Sequence, residues 1–534
     1  MSVCAVPGSR VRSALLSLSL LAALVPGAVA AQPQAFTQSL AASASGEPAI
    51  ADWYRGTGFR TLWTGPADAE RRAALLAALA AADLHGLPRA RYDAAALTAA
   101  LAAAETEADR GRIEVELTRA YLAWAGDLTA GALTATKVDG GILRDVPRPE
   151  PQILLQRIAG GDPQAVLAGL LPTSPIYVQL MKAKLDLEAV IAAGGWGEAL
   201  AMVPLEPGAT GPEVVALRDR LVRMGYLSAT ASAAYDGALQ AGVQRFQLNH
   251  GLVADGVLGE GTIEELNRAP EERLQSVIVA LERERWMHID RSVRHIWVNL
   301  PDFKAKILDE GRTIFETRVV IGKNVPDQRS PEFSDEMEHM VINPSWGVPR
   351  SIIVKEYLPL LQKNPNAVGH LQVLDRRGRV VPRGSVNFAA YNARNFPYGL
   401  RQPPSDANAL GKVKFMFPNP HNIYLHDTPS KSLFDHDVRA YSHGCIRVAD
   451  PFDLAHELLS WQVDDAEGEF ETALDTGKET TVKLKQHLPV HLVYFTAYPD
   501  ARGRISYRRD VYGRDAALFE ALSAAGVELP GVQG

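Results

Sequence analysis

Cysteine is almost absent from this chain, which holds two in 534 residues, Cys4 and Cys445. Cys4 precedes the first apolar stretch, a position unsuited to lipid attachment. Once an N-terminal leader is removed, a single thiol remains and no internal disulfide can form. Oxidising compartments pair cysteines or dispense with them. A lone exported thiol is therefore either a buried, inert hydrophobe or a working nucleophile. Positive charge is also in short supply. A formal net charge of −7 leaves no basic face of the kind a nucleic acid partner requires. Beyond the first thirty residues no apolar run is long enough to cross a bilayer, so the mature chain is expected to have no transmembrane segment.

What is present begins with a leader. Arg10 and Arg12 precede an apolar stretch at 13–25, Pro26 and Gly27 break it, and Ala28-Val29-Ala30 supplies a small-residue cleavage pattern. The expectation is a signal peptide over 1–30, cleaved near Ala30, and an exported protein. The rest exceeds what one hydrophobic core supports, and its texture divides it into a multidomain α+β chain. Residues 31–200 are Ala-rich and helical in pattern, a scaffold with helices expected at 71–82 and 94–108. The aromatics Trp53, Tyr54 and those at 59–63 should pin this region to itself or to a neighbour. No polar chemistry converges there. Residues 205–268 read as a small module of three helices, at 213–224, 241–248 and 262–266. Thr262 would N-cap the third, with Glu265 completing a capping box. From 285 to 500 the pattern is β-rich, with strands expected at 295–300, 315–321, 340–343, 413–417, 423–426 and 489–495. A helix is expected at 451–459. The polar, Pro- and Gly-containing stretch at 350–402 reads as an inserted lid subdomain. Residues 501–534 are a C-terminal segment.

The chemistry concentrates in His426-Asp427-Thr428-Pro429 and Ser442-His443-Gly444-Cys445-Ile446-Arg447-Val448. A thiol reacts as thiolate and needs a base or a positive setting to ionise near neutral pH. His443 stands two residues before it, and His426 could face the sulfur if its strand lies beside the cysteine turn. Gly444 permits a tight turn, and the N–H groups of His443, Gly444 and Cys445 would suit an oxyanion. Arg447 has two readings: it grips a substrate carboxylate, or it pairs with Asp450. Tyr424 shares a strand face with His426 by period two and either lines the pocket or fills the core. Ser442 bonds His443 or closes the turn. Trp346 is either a wall of the donor site or a packed tryptophan.

Two resemblances follow from these residues. Phe246-Gln247, Gly251-Leu252 and Asp255 to Gly259 resemble the peptidoglycan-binding domain 1 family. The His426 and Ser442-His443-Gly444-Cys445 pattern resembles the signature of the L,D-transpeptidase (YkuD-type) family. Asn343-Pro344, Trp346, Val348-Pro349, Asn408 to Gly411, Lys414-Phe415 and Tyr424 to His426 resemble its large YcbB-type Gram-negative branch. The resemblance implies a periplasmic enzyme acting on peptidoglycan tetrapeptide stems as donor and acceptor. Cys445 would attack the carbonyl joining the third stem residue to D-Ala, and the amine of a second stem would resolve the thioester into a 3→3 cross-link. His426 becomes the base, and His443 with Gly444 shapes the oxyanion hole. Carbapenem-type β-lactams become covalent inhibitors, and no cofactor or metal is required.

Other readings remain at this level. His421, His426, His436, His443 and Cys445 could ligate zinc, although no compact zinc spacing is present. Cys445 could be inert in a non-catalytic wall-binding protein. Water or a lipoprotein lysine could replace the stem amine, giving an L,D-carboxypeptidase or an anchoring enzyme.

Overall fold

Helices Ala69–Ala80 and Ala94–Ala102 occupy the two amphipathic stretches of the scaffold in the computed structural model, which describes residues 34–531. The expected signal peptide at 1–30 lies outside the described residues. The second helix stops short of the expected 108 because Thr106 starts another one. The Thr106 hydroxyl accepts the Asp109 N–H at 3.1 Å, and the Asp109 carboxylate accepts the Thr106 N–H at 3.2 Å. This capping box opens the helix Glu107–Ala130. Its buried Ile113, Leu117, Tyr121, Trp124 and Leu128 recur at helical spacing and form the scaffold core. Glu114, also buried, accepts hydrogen bonds from the Tyr54 hydroxyl at 2.9 Å and the Thr64 N–H at 2.9 Å. Tyr54 and Trp63 are thereby fixed in the core, so the polar convergence here serves structure.

The module that follows packs helices Pro212–Arg223, Gly237–Asn249 and Glu260–Leu266 around Leu217, Val243, Phe246 and Ile263. The expected Thr262 cap is not formed. The helix starts two residues earlier behind Gly259, and Thr262 is buried inside it, its hydroxyl accepting from the Gln247 amide at 3.2 Å. Glu265 instead pairs with Arg273 at 2.9 Å. The Gln247 amide also donates to Asp255 at 2.8 Å and its oxygen accepts the Gly256 N–H at 2.9 Å, so Gln247 staples the Asp-Gly turn.

The helix Pro270–Trp286 lies between the module and the strands, and every residue from Val277 to Trp286 is buried. Arg283 in it meets Glu332 at 2.5 Å and Asp515 at 3.0 Å, and Arg514 meets the other Glu332 oxygen at 3.3 Å. Burial works against the charge on Arg283, but Glu332 and Asp515 overcome it and hold the guanidinium above its ordinary value.

Thirteen strands, in chain order, build the next two sheets: β1 His295–Asn299, β2 Lys304–Asp309, β3 Arg312–Gly322, β4 Phe333–Ile342, β5 Trp346–Gly347, β6 Gln372–Leu374, β7 Val380–Val381, β8 Gly399–Gln402, β9 Val413–Met416, β10 Leu425–His426, β11 Ala440–Ser442, β12 Ile446–Val448 and β13 Thr480–Val493. The larger sheet runs β11-β3-β12-β10-β9-β4-β13-β1-β2, and an added β2–β3 pairing closes it on itself. Its interior holds Val298, Ile307, Met340, Phe415, Leu425 and Ile446, sealed by Leu454 and Leu458 of the helix Pro451–Ser460. The strand β10 is two residues long, shorter than the expected 423–426, because Asn422 turns the chain with a φ of 55°. The insertion forms its own sheet, β5-β8-β6-β7, over a separate core of Ile352, Leu361, Val373, Phe388 and Leu400. Among the described residues no helix is long and apolar enough to cross a membrane.

Removing Glu332 would leave Arg283 and Arg514 buried without their shared carboxylate. The variant Glu332→Ala should lose about 3–5 kcal/mol of stability in urea unfolding. An unchanged midpoint would show that this network contributes little.

Candidate active site

Strand alternation assembles the site. Leu425 sits in register with Ile446 on one side and Phe415 on the other, and all three are fully buried in the sheet interior. The alternate residues Tyr424, His426, Cys445 and Arg447 therefore project to the opposite face, where Lys414 and Arg447 flank His426 in register. Cys445 immediately precedes β12 and is half-buried.

The imidazole of His426 is 4% exposed and its Nδ1 bonds the Asp427 carbonyl. A carbonyl only accepts, so Nδ1 carries the proton and Nε2 holds the free lone pair. Burial, with Arg447 nearby, lowers His426 to about 4, so it is neutral and basic-side-out at ordinary pH. Burial likewise pushes the Cys445 thiol up to about 11, against hydrogen bonds from the Tyr424 N–H and side chain and the charge of Arg447. In the free protein both partners are neutral. The thiol donates to the Asn422 carbonyl at 3.5 Å. Asn422 holds that carbonyl in place from the left-handed region, which asparagine tolerates better than most residues.

The turn before the thiol is fixed from three sides. Ser442 accepts the Gly444 N–H at 3.1 Å and donates to the Cys445 carbonyl, closing the turn. The Gly444 N–H is therefore committed, which removes it from the expected set of oxyanion donors. Gly444 contributes conformation instead. Its φ is 116°, and a Cβ there would meet Ile423 at 3.3 Å. On the inner side Ser330, fully buried, donates to the Gly444 carbonyl at 2.6 Å. His443 turns toward the insertion, where its Nε2 lies 2.7 Å from Glu356. Glu356 belongs to the wide π-type turn Ile353–Tyr357, and its neighbour Lys355 pairs with Asp327. The insertion is thus tied to the turn before the thiol through His443, and to the segment between β3 and β4 through Asp327.

Arg447 makes no ion pair among the described residues, and its Nε has no partner. Asp450 is engaged elsewhere, accepting from the Thr317 hydroxyl at 2.8 Å. Trp346 stands in β5 of the insertion, edge-on to Tyr357 with ring centroids 6.4 Å apart. Tyr424 lies beside His426, with centroids 5.7 Å apart. Among the described residues no three His, Cys, Asp or Glu side chains converge as a metal site. Ser330, Glu356 and Asn422 were not singled out by the sequence. Only the polar character of the insertion hinted at a residue such as Glu356.

A family model for the L,D-transpeptidase catalytic domain, YkuD, matches residues 293–482, spanning both the thiol and the imidazole. The chain carries an L,D-transpeptidase catalytic domain. A scaffold-domain model matches residues 48–183, and a peptidoglycan binding domain model matches 210–266. A protein of Haemophilus influenzae named as an L,D-transpeptidase is 35% identical over 225 residues, which is 42% of this chain and 45% of that protein. The match thus spans less than half the length of that relative. Solved L,D-transpeptidases from Xylanimonas cellulosilytica and Stackebrandtia nassauensis share 16% and 15% identity, each over 55% of this chain. They are covered over 100% and 96% of their own lengths, with TM-scores of 0.17 and 0.21, too low to bear on the fold.

A neutral pair gives this L,D-transpeptidase domain a distinctive pH profile. Alkylation of Cys445 by iodoacetamide should rise about tenfold per pH unit from 7 to 10, following the thiolate fraction. A plateau near neutral pH would instead reveal a preformed thiolate–imidazolium pair.

Proposed function

We propose that this chain is an exported L,D-transpeptidase that joins peptidoglycan stems through a Cys445 thioester. The observation that carries this reading is the placement of the thiol and an imidazole with a free Nε2 on one face of two paired strands. The thiol proton passes to His426 Nε2 as sulfur bonds the carbonyl between the third stem residue and D-Ala. The carbonyl electron pair moves to oxygen. Collapse breaks the C–N bond, and the departing D-Ala nitrogen takes the proton from the imidazolium. The side-chain amine of a second stem, typically that of meso-diaminopimelate, then attacks the thioester. Its proton goes to His426, the thiol is restored, and a 3→3 link results. A thiol suits this sequence because its acyl intermediate yields readily to an amine.

The substrate carboxylates have a partner in Arg447, whose charge is unpaired among the described residues. Residues 210–266 match a wall-binding module, which would hold the enzyme near its polymer. The leader at 1–30 supports export to the periplasm of a Gram-negative bacterium, and the motifs at Asn343-Pro344 and Asn408 to Gly411 support the YcbB-type branch. Carbapenem-type β-lactams, which present a strained acyl carbon, would trap Cys445 as an adduct.

Mass spectrometry of the protein incubated with disaccharide-tetrapeptide tests this directly. Dimers that have lost one D-Ala should form, and Cys445→Ala should abolish them. The variant His426→Ala should slow acylation by about 10²–10⁴-fold. Tripeptide monomer alone would indicate water as the acceptor, and no product from folded protein would leave a wall-binding role.

A further inference from the structure

We infer that Ser330 is the positioning residue of the oxyanion hole, holding the Gly444–Cys445 peptide so that the Cys445 N–H faces the reacting carbonyl. The inference rests on the acyl-transfer reading of Cys445. A trans peptide points its carbonyl and its N–H in opposite directions. Ser330 Oγ pins the Gly444 carbonyl toward the protein interior at 2.6 Å. The N–H of Cys445 must therefore aim outward, to the side of its own sulfur. Among the described residues no acceptor takes that N–H. The neighbouring Gly444 N–H, committed to Ser442, cannot substitute for it.

Ser330 is itself held at every polar atom. Its hydroxyl accepts the Gly322 N–H at 3.0 Å, leaving its proton for Gly444. Its N–H donates to the Tyr512 hydroxyl at 3.2 Å, and that hydroxyl donates to the Gly322 carbonyl at 2.6 Å. Its carbonyl accepts from Arg514 at 3.1 Å. Contact with Gly322 is close: a Cβ there would come within 2.8 Å of the Ser330 nitrogen and 2.0 Å of the Gln328 carbonyl. A serine bonded in this way has no rotamer freedom left, so it fixes the peptide it touches rather than following it.

An oxyanion donor matters when a carbonyl is attacked and is irrelevant when sulfur displaces iodide from a saturated carbon. The full chain and Ser330→Ala are compared in two reactions at Cys445, alkylation by iodoacetamide and acylation by a carbapenem, both followed by intact-protein mass. The expected result is an unchanged alkylation rate with acylation slowed at least tenfold. Equal acylation of variant and parent overturns the inference. Parallel loss of both reactions also overturns it, since the serine would then act on the thiol or on the fold. If Ser330→Ala does not fold, Tyr512→Phe, which keeps the serine but removes the hydroxyl bridging its N–H and the Gly322 carbonyl, should show the same selective loss on a smaller scale. Failure of the parent protein to be acylated at all would sink the Cys445 reading itself, and is distinguished by the parent's own trace.

Discussion

Two arginines and two carboxylates are buried together where a helix, a strand and the C-terminal segment meet. Arg283 comes from the helix Pro270–Trp286, Glu332 immediately precedes β4, and Arg514 with Asp515 opens the last helix, Arg514–Ala524. Bare charges in such a place would be prohibitive, and each is tolerated only because the others are present. The scaffold joins through Asp139, which approaches Arg514 at 3.4 Å. The network has consequences at the thiol, because Arg514 also holds the Ser330 carbonyl and Ser330 holds Gly444. Distant segments thereby determine the shape of a turn three residues long.

That turn carries a thiol with little thiolate at rest. Desolvation places the thiol near 11 and the imidazole near 4, so neither ionises spontaneously at neutral pH. In the acyl-transfer reading proposed for this site, charge separation is deferred until a carbonyl is in place to share it. A thiol held mostly protonated in this way is also a weaker target for oxidation than a thiolate. The site also assigns the two histidines different tasks. His426 has its proton on Nδ1 and a free Nε2, whereas His443 is engaged with Glu356 of the insertion.

Much of this was legible in the sequence, and what was not has physical reasons. The alternation around Leu425 marks a strand and puts Tyr424 and His426 on one face by period two, whereas the short strand at Ile446–Val448, which sets the side of Cys445, gave no signal of its own. The capping box at Thr106 was hidden inside an Ala-rich run whose periodicity simply continued across the break. Thr262 was misread because the signal for a helix start, a hydroxyl with an acid three residues on, also occurs one turn inside a helix. The larger omission is the helix Pro270–Trp286. Nothing in the sequence singled out this segment, yet Arg283 and Arg285 are fully buried, each against a carboxylate. Sequence patterning registers charge but cannot say that its partner waits far along the chain, as Asp515 does for Arg283.

The same long-range pairing bears on what counts as the catalytic unit. The matched catalytic domain closes at residue 482, but the strand β13 continues to Val493 and supplies the neighbours of both β4 and β1. Tyr512 and Arg514 lie further still, and both bond Ser330. A fragment ending at 482 would keep Cys445 and His426 while losing eleven of the fourteen residues of a central strand and two of the groups that bond Ser330. Chemistry at this site is therefore a property of the assembled chain. The thiol and imidazole are local, but the Gly444 carbonyl beside them is held by residues that sequence proximity would never associate with them.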